Sequence, residues 1–364
     1  MKKIAIDVSQ IIYGTGVSNL TADLVESVIS LDKKNTYVLF GTSLRGYFKL
    51  KKFCSNYPQA KTKIYPFPVS VFELIFHKFN VPIDYFCSGI NVFVCSDWLT
   101  PRSKKAKIIV PIYDLTTKIM PEDHTVKTVR VHQTRMERAV KYASFITFLS
   151  KSCRDDFFRY FEFDINKTEI VYPSTKIQNK KASSFNDVSK KFRITKPYFL
   201  SVSTLQPRKN LNLLVNAFNK INLNNKFQLV IVGPKGWGNI NLPTSDNITQ
   251  TGFVSEGELV SLYRNSTLFI YPSLYEGFGL PIIEAMRFGT PVIASNTSSM
   301  PEAGGQAAMY FDPKDENDLV QKIIKFLSLT TNTIKIVKLK SQEHAESFSW
   351  NNSAKKLITI YERV

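Results

Sequence analysis

The stretch that decides the fold is Thr267–Ser295, TLFIYPSLYEGFGLPIIEAMRFGTPVIAS. An apolar run, Leu268–Tyr271, meets Pro272 and a loop holding Gly277, Phe278 and Gly279 before Leu280. A short helix is expected from Pro281, a stop at Gly289, and a second strand from Pro291–Ile293. Proline suits the first helical position, whose N–H would go unbonded anyway, and glycine suits the position past the end. The unit is strand, loop, helix, strand, with a carboxylate on each side of the loop's end. Glu276 lies in the loop, and Glu284 is expected in the first turn of the helix. In a parallel α/β sheet such a loop opens at the carboxyl edge, where ligands bind and helix N-termini face anions. Gly277 and Gly279 let backbone amides approach a ligand with no Cβ in the way. Two carboxylates so placed suit an acid/base pair, or two anchors for an extended polar ligand. The bland alternative is a loop charge and a carboxylate that complements a helix dipole.

The chain has 364 residues, enough for two domains. A composition 43% hydrophobic and 21% charged is that of a globular protein. The start, MKKIAIDVSQ, runs straight into a strand pattern with no leader, and no apolar run reaches membrane-spanning length. A cytoplasmic protein is therefore expected, with peripheral placement at the inner face of a membrane as the alternative. Cys54, Cys87, Cys95 and Cys153 have neither C-x-x-C spacing nor paired histidines, so buried thiols are expected rather than zinc or disulfides. The formal charge of +18 favours anionic partners. It is concentrated early, with 28 basic against 16 acidic residues through position 185 and 20 against 14 after it.

From the amino terminus, Lys3–Val8 reads as a buried strand, followed by a glycine turn with Gly14 and Gly16 and a helical pattern from Val17 to Leu31. Further strands are expected at Tyr37–Phe40, Ile90–Cys95, Ile108–Tyr113 and Phe145–Leu149, with a helix over Val126–Tyr142. Alternation of this kind predicts a mostly parallel sheet. Pro66–Pro82 is rich in aromatics and follows the basic run Lys49–Lys52. It is read as a core helix face, with contact to an anionic bilayer as the alternative for part of it. Ser174–Lys191 is polar and non-periodic and reads as a linker. Beyond it, Tyr198–Ser203 is a strand, Thr204–Asn210 a loop, and Leu211–Ile221 an amphipathic helix. Arg208 and Lys209 beside a helix start are electrostatically odd unless an anion lies between them. Gln228–Val232 is a strand running into Gly233-Pro234-Lys235-Gly236-Trp237, and Gly252-Phe253-Val254 opens the next loop.

The strings EGFGLPIIEAMRFGTPVIAS, PRKN and GPKGW together resemble the retaining glycosyltransferases of family four, which have the GT-B fold. The resemblance implies two Rossmann-like domains facing across a cleft, expected here as residues 1–185 for the acceptor and 186–346 for the nucleotide-sugar. A closing helix at 347–364 would cross back to the first. It also implies that Glu276 addresses the donor sugar, Glu284 the ribose hydroxyls, and Arg208 with Lys209 the diphosphate. Gly277, Phe278, Gly279, Leu280, Thr204, Gly233, Gly252, Phe253 and Gly16 would line the donor. The family usually has His before Asp where this chain has Tyr113 and Asp114, a departure that bears on the donor.

The expected activity is retaining transfer of a sugar, mannose from GDP-mannose in the lead reading, to a glycan or lipid-linked acceptor in surface polysaccharide synthesis. No cofactor or metal is expected, because fixed cations can stabilise the departing diphosphate. The alternatives are a UDP-sugar donor and an inactive relative that only binds nucleotide-sugar. A nucleic-acid-binding protein is a distant one, since no basic stripe with interleaved aromatics is present.

Overall fold

In the computed structural model the described residues are 1–222, 224–236, 238, 242–243 and 245–364. They form two compact units, Met1–Pro173 with Ser349–Val364, and Ser174–Phe348.

The first unit is built on seven strands: β1 (Lys3–Asp7), β2 (Thr36–Thr42), β3 (Lys61–Tyr65), β4 (Val92–Val94), β5 (Lys107–Ile112), β6 (Phe145–Phe148) and β7 (Thr168–Ile170). All pair in parallel, in the order β3-β2-β1-β4-β5-β6-β7. The central strands are short and apolar because helices cover both faces. One face packs Phe72, Phe76, Phe93 and Phe148. The other packs Val25 and Val28 of the helix Gly16–Leu31 against Leu357 and Tyr361 of the helix Trp350–Arg363. Thr15 and Ser349 cap those two helices by accepting from the Ser18 and Asn352 amides.

The aromatic segment before Pro82 divides between core and surface. Phe72 and Phe76 are fully buried, whereas Leu74 and Phe79 are exposed. A π-helical turn over Leu74–Lys78 carries both Leu74 and Phe76 and shifts the helical register.

The second unit repeats the plan with β8 (Tyr198–Val202), β9 (Gln228–Val232), β10 (Ile248–Gly252), β11 (Leu268–Tyr271), β12 (Val292–Ser295) and β13 (Ala308–Phe311). Their order is β10-β9-β8-β11-β12-β13, again all parallel. The direction of winding reverses between β8 and β11, so the loops after these two strands become neighbours. The stretch expected as a linker lies in this unit and is partly helical. Phe185–Phe192 forms a helix that buries Val188 and stacks Phe185 on Tyr198, with ring centroids 6.3 Å apart. Two turns rich in lysine were too short to show a period.

All four cysteines are buried thiols. Among the described residues no helix is long and apolar enough to cross a membrane.

Candidate active site

The loops after β8 and β11 are stitched together. The Leu274 amide donates to the Arg208 carbonyl at 2.8 Å, and Arg208 Nη1 donates to the Tyr275 carbonyl at 2.9 Å. Gln206 enters a 3-10 turn over Pro207–Lys209, and Asn210 leaves it in the left-handed conformation (φ 54°) that asparagine tolerates. This turn points Arg208 and Lys209 at the neighbouring loop.

Their anion is Glu276. Arg208 Nη1 is 3.0 Å from Glu276 Oε2, Lys209 Nζ pairs with Oε1, and the Tyr271 hydroxyl donates to Oε1 at 2.8 Å. Burial alone would raise the Glu276 carboxyl, but the charge of Arg208, then that of Lys209, holds it at about 2. Burial, then the Glu276 charge, pushes the Tyr271 phenol well above its ordinary range, so it stays a donor. The Glu276 backbone is fixed as well. Its carbonyl accepts from Ser298 Oγ at 2.6 Å and Ser299 Oγ at 2.8 Å. The odd pair of cations is thus balanced from within the chain, by a residue 67 positions from Lys209. Two cations against one carboxylate leave the three-residue cluster itself with one surplus positive charge.

Gly279 precedes the helix Leu280–Arg287 with φ 102°, a conformation that favours glycine. The helix begins at Leu280, so Pro281 is its second residue and Glu284 its fifth. Glu284 therefore lies one turn in, a correction to its expected place in the first turn, because Gly279 rather than Leu280 acts as the cap. Tyr263 donates to Glu284 Oε2 at 2.9 Å and Thr175 to Oε1 at 3.3 Å. Phe278 is buried edge-on against Phe348 at 5.3 Å, so what it can offer a ligand is backbone.

Close packing explains the remaining glycines of this unit. A Cβ on Gly233 would lie 2.0 Å from the Ser203 carbonyl oxygen. The Gly233 amide donates to the Gly252 carbonyl at 3.0 Å, which brings the loops after β9 and β10 beside Thr204. Phe253 is 81% exposed next to them. Trp237 lies outside the described residues. Thr204, Arg208, Lys209, Gly233, Gly252, Phe253, Glu276–Leu280 and Glu284 thus gather at one edge of one sheet.

Gly16, Tyr113 and Asp114 belong to the first unit. Gly16 is exposed, with open space where a Cβ would stand. Asp114 bonds the Thr116 amide at 2.9 Å and its hydroxyl at 2.6 Å, a local turn contact. Tyr113 is buried and accepts from Gln10 Nε2 at 3.0 Å. Burial, then the Asp97 charge, pushes its phenol up to about 12. Gln10 was not singled out from sequence, since a glutamine after a strand carries no signal of its own.

The profile of the family described as Glycosyl transferases group 1 matches residues 184–343, the unit that holds this edge. The chain is also 28% identical over 291 residues to O-antigen chain mannosyltransferase B of Escherichia coli, covering 77% of this chain and 74% of that protein. Residues 184–343 thus match a group 1 glycosyl transferase domain, and the chain is similar to the enzymes of that class. The glycosyltransferase is 32% identical over 196 residues to serotype-specific mannosyltransferase WbdA of Escherichia coli, half of this chain but only 24% of that longer protein. Its fold is GT-B. Anabaena Alr3699/HepE, solved with UDP and glucose, superimposes over the whole of both chains with a TM-score of 0.73 at 14% identity. WaaG, a glycosyltransferase involved in lipopolysaccharide biosynthesis, does so with a TM-score of 0.70 at 12% identity, over 98% of this chain and 99% of that one.

Proposed function

We propose that this glycosyltransferase transfers mannose from GDP-mannose, with retention, to a glycan or lipid-linked acceptor in the synthesis of a surface polysaccharide. The observation that carries the reading is the buried cluster of Arg208, Lys209 and Glu276 at the carboxyl edge, eight residues before Glu284. The names of the similar proteins, O-antigen chain mannosyltransferase B and WbdA, favour mannose.

Loss of the diphosphate builds negative charge on the leaving group and oxocarbenium-like charge on the sugar. Arg208 and Lys209 meet the first, without a metal, where burial strengthens their field. Glu276, fixed by Tyr271 and both cations, accepts hydrogen bonds from sugar hydroxyls. Glu284, held by Tyr263 and Thr175, accepts from the ribose. No nucleophile is assigned to the opposite face, in keeping with front-face retention, in which the leaving phosphate helps deprotonate the acceptor.

The first unit presents Phe48, 80% exposed, beside Lys49, Lys51 and Lys52 on the helix Tyr47–Ser55. Apolar side chains among lysines suit an anionic bilayer carrying a lipid-linked acceptor.

Calorimetric titration with GDP and UDP, beside the Glu284→Ala variant, tests the reading. Tight GDP binding that the variant loses supports both the donor and the ribose contact. Preference for UDP discards mannose as the sugar, and binding of neither overturns the donor assignment.

A further inference from the structure

The loop that carries Glu276 is gripped from both sides. On one side Arg208 accepts from the Leu274 amide and donates to the Tyr275 carbonyl. On the other stand three consecutive hydroxyls from the loop after β12, the strand that pairs with β11. Thr297 Oγ1 donates to the Leu274 carbonyl at 3.1 Å. Ser298 Oγ accepts from the Glu276 amide at 3.2 Å and donates to the Glu276 carbonyl at 2.6 Å. Ser299 Oγ donates to that same carbonyl at 2.8 Å. A hydroxyl has one proton and two lone pairs, and a carbonyl oxygen has two lone pairs, so all these bonds stand together.

Two features set these serines apart from ordinary turn residues. Ser299 stands at the N-cap of the short helix Met300–Gly304, where a serine usually binds an amide of the first turn, yet its side chain makes no capping bond. Its proton goes to Glu276 instead. Ser298 has φ 53°, a left-handed backbone that glycine takes freely and serine only at a cost. Among the described residues the other non-glycine residues in that region are Asn80, Arg193, Asn210 and Asn225. Three of these four are asparagine, which tolerates the conformation. A glycine at position 298 would suit the turn and would take this partner away from the Glu276 amide.

We propose that Ser298 is a positioning residue whose hydroxyl fixes the Glu276 backbone so that the carboxylate meets the hydroxyls of the donor sugar. The inference rests on the proposed role of Glu276 and adds a determinant of it from a third loop of the same unit. Arg208, Lys209 and Tyr271 hold the far end of that side chain, and Ser298 holds its root. A shift at the root re-aims the carboxylate while leaving Glu284 and its partners untouched.

The test compares Ser298→Gly, Ser298→Ala and Glu276→Ala, and each Ser298 variant combined with Glu276→Ala. Ser298→Gly removes the hydroxyl and relieves the left-handed backbone, whereas Ser298→Ala removes the hydroxyl and keeps the strain. Tm should therefore be higher in Ser298→Gly than in Ser298→Ala. In both, kcat/KM for GDP-mannose, read as GDP released, should fall at least about fivefold, the scale of a lost hydrogen bond. GDP Kd should stay within about twofold of the parent, because no contact assigned to the nucleotide is removed. Each double variant should be no slower than Glu276→Ala alone, since both changes act through one carboxylate. Activity that follows Tm, with Ser298→Gly as fast as the parent, makes Ser298 a turn residue and overturns the proposal. Losses that multiply in the double variants overturn it too. GDP binding and turnover by the parent read the underlying function separately. A parent that turns over GDP-mannose no faster than Ser298→Gly does fails this inference alone, whereas a parent that binds neither GDP nor GDP-mannose fails the proposed function and this inference with it.

Discussion

The Arg208 guanidinium and the Glu276 carboxylate, from loops after two neighbouring parallel strands, lie 3.0 Å apart and share their pocket with Lys209. The cluster is both a brace between two loops and a source of surplus positive charge. Arg208→Ala combined with Lys209→Ala is expected to cut turnover at least roughly a hundredfold, the scale of losing charge stabilisation in the transition state. Steady-state kinetics on folded protein checks this, and a change of only a few-fold removes the two cations from the leaving-group role.

Acid should act on the same cluster. The Glu276 carboxyl is held at about 2 against an ordinary 4.5. Its charged form therefore stabilises the fold fully above pH about 4.5 and loses that effect as pH falls toward 2. Glu276→Gln should melt below the parent at pH 7, and the gap should close across that window. Melting curves between pH 7 and 3 measure it, and a gap that stays constant to pH 3 contradicts the pairing.

Glu284→Ala should weaken nucleotide affinity at least about tenfold if two ribose hydroxyls bond to it. Tyr263→Phe, which removes only the phenol that steadies Glu284, should cost less than that. Calorimetry on both variants orders the effects. Unchanged affinity in Glu284→Ala ends the ribose assignment.

Two glycines should behave oppositely. Gly233→Ala drives a Cβ to 2.0 Å from a backbone carbonyl, at φ 144°, and should destabilise the fold by roughly 3 kcal/mol or more. Gly16→Ala meets open space and should stay within about 0.5 kcal/mol of the parent. Chemical denaturation separates the two, and equal effects would contradict the packing of the loops after β8 and β9.

EDTA should leave turnover intact, because the charge on the leaving group is assigned to side chains. A rate lost to chelation and restored by added divalent metal would reverse that assignment.

Much of the second unit was legible because its chemistry is local. Pro272, Gly279, Pro281 and Gly289 punctuate one short stretch, and each marks a strand end, a helix start or a helix stop that suits its residue type. Partnerships across the sheet were less legible. The sequence showed two adjacent cations in want of an anion, but that anion arrives only through the β8–β11 adjacency. Gln10 was silent for the same reason, since its side chain bonds Asp97 and Tyr113 from other loops. Edge strands were the weakest signal. β3, with the sequence KTKIY, carries lysines because its outer side faces solvent, and these mask its period. The helix Phe185–Phe192 passed for a linker because one buried valine is too little to reveal a face.

The first unit is drawn from two separate pieces of chain, with the whole of the second unit between them. Ala354, Leu357, Ile360 and Tyr361 complete a core whose other buried members lie before residue 172. A ribosome thus releases every strand of the first sheet long before the helix that completes the cover of one of its faces. The second unit, one unbroken run, has all its parts as soon as Phe348 is made. The domain begun first is finished last, and until then part of an apolar face of its sheet is left for chaperones, or for a neighbouring nascent chain, to find.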